Sequence, residues 1–132
     1  MKPVLKGKAL VVDDDASTRL LLREALESMG LLAEEAADGA EAIHAYIENE
    51  FDLVTMDIMM PNVNGVDAIH ALRMVDPGCR IIVITSCTDE HLSAQVRDLN
   101  VPWVIRKPIH LSEFYAAVRN ALSGSIRAAL TL

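Results

Sequence analysis

The chain has 132 residues, of which 52% are hydrophobic and 23% charged, with six glycines and five prolines. One core is typical up to roughly 150 residues, so a single globular domain is expected, and the composition excludes a disordered chain, a collagen-like repeat and a disulfide scaffold. Twelve Lys and Arg against nineteen Asp and Glu leave a net charge of −7, which disfavours direct binding to nucleic acid or an anionic membrane and favours cations and basic partners.

In chain order, Ala9 to Val12 is almost wholly apolar and reads as a strand covered on both faces. Leu22, Leu26 and Met29 then recur at helical spacing, with Asp15 placed to cap that helix. Leu31 to Ala36 reads as a second strand, whose Glu34 and Glu35 suit a sheet edge. Ala40, Ile43 and Ile47 mark one buried face of a second helix. Leu53 to Met56 is a third strand, followed by a helix with Val66, Ile69 and Leu72 on its inner face. Ile81 to Ile84 is a fourth strand, and Leu92, Val96 and Leu99 belong to its helix. Trp103 to Arg106 ends in charge and reads as the other edge. Leu111, Phe114, Tyr115, Val118 and Leu122 mark a fifth helix, with Ser112 placed to cap near its start and Gly124 to end it. Residues 125–132 form an apolar-leaning tail.

Five strands alternating with five helices predict an α/β fold with a doubly wound parallel sheet, and two edge strands flanking three buried ones fit the order 2-1-3-4-5. This is a flavodoxin-like arrangement. In it the connections from strands one and three diverge, opening a crevice at their carboxyl ends where ligands bind. Strand one ends in Asp13-Asp14-Asp15 and strand three in Asp57. Two ionised carboxylates about 5 Å apart repel by roughly 3 kcal/mol at an effective dielectric of about 20, so the cluster calls for a cation or a proton. Oxygen ligands without His or Cys select a hard ion, and few carboxylates with room for waters and a phosphoryl oxygen describe Mg²⁺ better than Ca²⁺. Thr85 and Ser86 close strand four, and Lys107 follows strand five before Pro108. A hydroxyl and an ammonium at that crevice suit phosphoryl oxygens, and the reaction class is attack by an aspartate on phosphorus.

Four motifs carry a family resemblance: Val11-Val12-Asp13-Asp14-Asp15, Asp57-Ile58-Met59-Met60-Pro61-Asn62 running to Gly65, Thr85-Ser86, and Lys107-Pro108. In this order and spacing the chain resembles a bacterial two-component response regulator receiver domain throughout residues 8 to 123, leaving 124–132 as a tail or linker stub. The resemblance implies that Asp57 is phosphorylated by a histidine kinase or a histidine phosphotransfer protein. It implies that Asp13, Asp14 and Asp57 hold Mg²⁺ together with the backbone carbonyl of Met59. It further implies that Thr85 reorients toward the phosphoryl group, that Lys107 bridges to it, and that the Lys107-Pro108 bond is cis.

Two positions depart from the family pattern. Where receivers commonly carry Tyr or Phe three residues before the lysine, this chain has Val104, with Trp103 one step earlier, and Trp103 faces the opposite side unless the strand is bulged. Asn100-Val101-Pro102 replaces the usual Gly-Ala step. An exposed Trp103 and the apolar tail point to a homodimer through helix four, strand five and helix five. Two other classes compete with the phosphorylation switch. A Mg²⁺-dependent phosphohydrolase would usually carry a second aspartate at the position of Met59. A flavodoxin-like cofactor binder would set its anionic cofactor against Asp13, Asp14 and Asp57.

No apolar run approaches the roughly 18 residues of a membrane span, and no signal peptide is expected behind Met1-Lys2-Pro3, so the expected location is the cytoplasm. There Cys79 and Cys87 remain thiols. His44, His70, His91 and His110 have no metal-ligand spacing and read as surface residues. With Cys87 and Met59 offering no group to orient a hydrolytic water, slow self-dephosphorylation is expected.

Overall fold

The computed structural model describes residues 5–60, 63–86 and 90–131, with 124–131 described by backbone alone. Its elements are β1 (Lys8–Val12), α1 (Ala16–Ser28), β2 (Leu32–Ala36), α2 (Gly39–Glu48), β3 (Leu53–Asp57), α3 (Gly65–Val75), β4 (Ile81–Thr85), α4 (Glu90–Asp98), β5 (Trp103–Arg106) and α5 (Leu111–Thr131). The strands are parallel in the order β2-β1-β3-β4-β5. Strands β1, β3 and β4, uncharged apart from the terminal Lys8 and Asp57, lie inside, while β2 with Glu34 and Glu35 and β5 with Arg106 form the edges, as the sequence predicts.

Alternation along the strands divides the core into two layers. Leu10, Val12, Val54, Met56 and Val83 pack with residues of α2, α3 and α4. Ala9, Val11, Leu53, Ile82, Ile84 and Ile105 pack on the other face with Leu22 and Leu26 of α1 and with Phe114, Val118 and Leu122 of α5. Helices α1, α2 and α3 start where acids or amides satisfy free N–H groups. Asp15 accepts from the Thr18 amide at 3.1 Å and its hydroxyl at 2.6 Å, Asp38 from Glu41 N at 2.8 Å, and Asn64 from Asp67 N at 2.9 Å. The hydrogen bonds to Thr18 also hold the Asp15 carboxyl below its ordinary pKa.

The structure departs from the sequence pattern in four places. The inner face of α2 is Ala42 and Tyr46 with Ile43 partly covered, while Ala40 is exposed and Ile47 is 62% exposed. Tyr46 takes that place because its ring stacks on Phe51 at 5.9 Å and its hydroxyl donates to Asp76 at 2.6 Å. Trp103 is partly buried in the layer with Phe114 and Ile105, so it is no exposed interface residue. The β4–β5 register runs unbroken from Ile82↔Trp103 to Thr85↔Arg106, which leaves no bulge to turn Trp103 round. Helix α5 begins at Leu111, so Ser112 lies inside its first turn, and it passes Gly124 to reach Thr131. A glycine costs a helix only about 1 kcal/mol relative to Ala, and the good helix formers Arg127, Ala128, Ala129 and Leu130 follow it.

The four histidines are exposed, and Cys79 is a free, partly buried thiol. Cys87, Pro61, Asn62 and the opening Met1-Lys2-Pro3 lie outside the described residues. Asn100 takes φ 55° just after α4, a left-handed conformation that Asn tolerates and that makes the departure from glycine there workable.

Candidate functional site

Strands β1 and β3 pair side by side from Ala9↔Leu53 to Val12↔Met56, so the residues after them emerge together at the carboxyl end of the sheet. Carboxylate oxygens of Asp13, Asp14 and Asp57 lie within 4.8 Å of one another. Asp13 is 1% exposed and Asp57 2%, whereas Asp14 faces solvent. Asp13 is held on every side. Its amide donates to Ala36 O at 3.2 Å, and its Oδ1 accepts from Asp15 N at 2.9 Å. Its Oδ2 accepts from Lys107 Nζ at 3.1 Å, and its carbonyl accepts from Arg19 Nη1 at 2.8 Å. Asp57 Oδ1 accepts from Met59 N at 3.2 Å, and Asp57 Oδ2 lies 3.6 Å from Lys107 Nζ.

Burial first, then the charge of Asp13, pushes the Asp57 carboxyl from 3.8 up to about 6, although Lys107 and the Met59 hydrogen bond pull it down. Burial works against the Lys107 ammonium, but the hydrogen bond to Asp13 and the charges of Asp57, Asp13 and Asp14 outweigh it and raise its pKa. At neutral pH three carboxylates therefore face one ammonium. The two negative charges left over match a divalent ion, and an all-oxygen donor set suits a hard one, so the residues fit Mg²⁺.

Lys107 is delivered by the turn after β5, where its amide donates to Thr85 O at 2.9 Å, and its bond to Pro108 is cis. Thr85 is buried at the end of β4 and lines a cavity of about 580 Å³ between α4 and β5, together with Val96, Val101, Val104, Arg97 and Arg106. Val104, 44% exposed, thus shares the Thr85 face of β5 with Arg106, and its small volume leaves that cavity open. The side chain of Met59 is exposed and places no acid beside Asp57.

Two further residues shape the site: Gly65, which closes the second motif, and Arg19, which no motif contains. Gly65 stands so close to β3 that a Cβ there would sit 2.3 Å from Asp57 O and 2.7 Å from Ile58 Cα. The glycine lets α3 pack directly on the backbone that carries Asp57, and its amide donates to Ile58 O at 3.1 Å. Arg19 on α1 reaches both the Asp13 carbonyl and Glu35, an edge-strand acid that composition alone reads as a guard against pairing.

The sheet order and the acidic cluster define a class: a doubly wound α/β protein that presents a buried carboxylate within an acidic group that could hold a hard cation. Within that class the chain belongs to the response regulator receiver domain family, whose model matches residues 9–119. It is a regulatory domain of two-component signalling. It is 35% identical over 112 residues to the chemotaxis protein CheY of Thermotoga maritima, covering 84% of this chain and 93% of that protein. Among solved structures, the Vibrio cholerae chemotaxis protein CheY4 matches with a TM-score of 0.81 at 26% identity, covering 89% of this chain and all of that one. CheY in the CheX-CheY-BeF3-Mg+2 complex of Borrelia burgdorferi matches with a TM-score of 0.79 at 28% identity, covering 87% and 88%. Among the described residues no helix is long and apolar enough to cross a membrane.

Proposed function

We propose that Asp57 is the phosphoacceptor, taking its phosphoryl group from a histidine kinase or a histidine phosphotransfer protein in the cytoplasm. The observation that carries this reading is the gathering of Asp57 with Asp13 and Asp14, their carboxylate oxygens within 4.8 Å of one another, beside a Lys107 ammonium 3.1 Å from Asp13 and 3.6 Å from Asp57. An Asp57 carboxylate oxygen attacks phosphorus, the bond from phosphorus to the donor nitrogen breaks, and the imidazole keeps the electron pair and takes a proton. Asp57 at about 6 is predominantly ionised at neutral pH and ready for that attack. Asp13, Asp14, Asp57 and the backbone carbonyl of Met59 would hold Mg²⁺, which supplies charge neutralisation at the phosphoryl oxygens when bound. The relative from Borrelia burgdorferi, recorded with Mg+2 and BeF3, supports this assignment. Lys107, already between Asp13 and Asp57, is placed to bridge to the same oxygens.

Thr85 then turns toward the phosphoryl group, and the surface of α4, β5 and α5 changes partners. Residues 8–123 make up the receiver unit in this reading, and 124–132 are a C-terminal tail or linker stub. A homodimer through α4, β5 and α5 remains part of the proposal on the strength of exposed Val104 and the open cavity beside it, with Trp103 withdrawn as its support. Sedimentation showing a monomer in both phosphorylation states would remove it. Self-dephosphorylation is slow, because Met59 gives Asp57 no neighbouring carboxylate or amide to orient water. A half-life of seconds would contradict that.

Intact mass after incubation with acetyl phosphate, with and without Mg²⁺, tests the central claim. One phosphoryl adduct that requires Mg²⁺ and is absent from Asp57→Asn is expected. An adduct that persists in Asp57→Asn would refute the assignment of Asp57.

A further inference from the structure

Outside the reacting residues, one chain of charged contacts runs from the metal loop into the groove between α1 and β2. Arg19 Nη1 donates to the Asp13 carbonyl at 2.8 Å, while its Nε donates to Glu35 Oε1 at 3.0 Å. Glu35 Oε2 in turn accepts from Arg23 Nη1 at 2.7 Å. The side chains of Arg19 and Glu35 are 17% and 27% exposed, so the pair is partly covered, and the contact with the Asp13 carbonyl is its more buried end. The register Val11↔Glu35 and Val12↔Ala36 sets Glu35 on the strand beside the segment that ends in Asp13.

We infer that Arg19 is a positioning residue for the cation site, with Glu35 as its anchor. The inference rests on the Mg²⁺ reading above. Asp13, Asp14 and Asp57 repel one another when no cation is present, and the loop after β1 carries two of the three acids. A guanidinium that grips the Asp13 carbonyl and is fixed to the edge strand keeps that loop from opening. Its planar fork suits two acceptors at once in a way an ammonium does not. Glu35 also neutralises the Arg19 charge, which would otherwise compete with a bound cation.

The sign of one substitution separates this role from simple charge. Removal of a nearby positive charge by Arg19→Gln strengthens cation binding on Coulombic grounds alone. A positioning role demands the reverse. In Mg²⁺ titrations of the whole chain by calorimetry, Arg19→Gln is expected to weaken binding about tenfold, the lower end of what outer-shell partners contribute, and Arg23→Gln to change it by less than about twofold. Arg23 is the control because it shares Glu35 but does not touch Asp13, and thermal midpoints in chelator register any general loss of stability from either change. Binding in Arg19→Gln that is unchanged or tighter, or a loss in Arg23→Gln equal to that in Arg19→Gln, overturns the inference. Wild-type protein that does not bind Mg²⁺ instead overturns the metal reading itself.

Discussion

Replacing Asp57 by Asn should make the metal-free protein more stable at neutral and alkaline pH. The wild-type carboxyl is buried against Asp13, and its pKa stands at about 6 instead of 3.8. A raised acid favours folding in its protonated form, so this contribution is fully present below pH 3.8 and is lost as pH rises through about 6. Since one pKa unit corresponds to about 1.4 kcal/mol, the ionised group lowers stability above pH 7 by about 3 kcal/mol, already net of the attraction to Lys107. The amide of Asn keeps an oxygen for the Met59 N–H and removes the charge. Urea unfolding in chelator across pH 4 to 8 should therefore show Asp57→Asn more stable than wild type by about 2–3 kcal/mol at pH 8, a gap that closes toward pH 4. For a chain of this size that corresponds to a thermal midpoint higher by roughly 6–10 °C. Excess Mg²⁺ should narrow the gap, because it stabilises the wild-type cluster by binding the native state. Equal stability of the two proteins at pH 8 in chelator, or a gap independent of pH, would refute the electrostatic account of the cluster.

Three further outcomes follow from the packing. Gly65→Ala drives a methyl group into the backbone of Asp57 and Ile58, and should cost about 1–3 kcal/mol and slow phosphoryl transfer to Asp57, measured by unfolding and by the rate of adduct formation. The Thr55 hydroxyl is fully buried in β3 with no hydrogen-bond partner, so Thr55→Val should raise stability by about 1 kcal/mol in the same unfolding assay without changing Mg²⁺ affinity. Val104→Phe fills part of the cavity beside Thr85 and should leave the fold intact, or stabilise it by up to about 1 kcal/mol, while altering phosphorylation-dependent dimerisation. Identical sedimentation profiles of Val104→Phe and wild type in both phosphorylation states would disconnect that cavity from output.

Much of this architecture is legible in the residue pattern because parallel strands buried on both faces leave no polar alternation to confuse the reading. The apolar runs at β1, β3 and β4 mark the centre of the sheet, and the acids on β2 mark an edge. The switch point follows from the order, and the acids at the ends of β1 and β3 follow from the switch point. Amphipathic faces were less legible. In α2 an aromatic ring with a hydroxyl partner at Asp76 takes the inner position over Ile47, a choice set by a residue 30 positions away. The ends of α5 likewise depend on where the preceding chain delivers the helix, which Ser112 and Gly124 do not determine.

By itself the sequence determined which chemical groups gather at the crevice, since strand order and the period-two alternation bring Asp13, Asp14, Asp57, Thr85 and Lys107 to one end of the sheet. Only the tertiary structure decided how those groups are held. The grip of Arg19 on a carbonyl, the close approach of Gly65 to Asp57 and the cavity beside Val104 arise between elements distant in the chain, where distances of a few tenths of an ångström separate a contact from a clash. A pattern of residue types carries periodicity and charge, but it does not carry those distances.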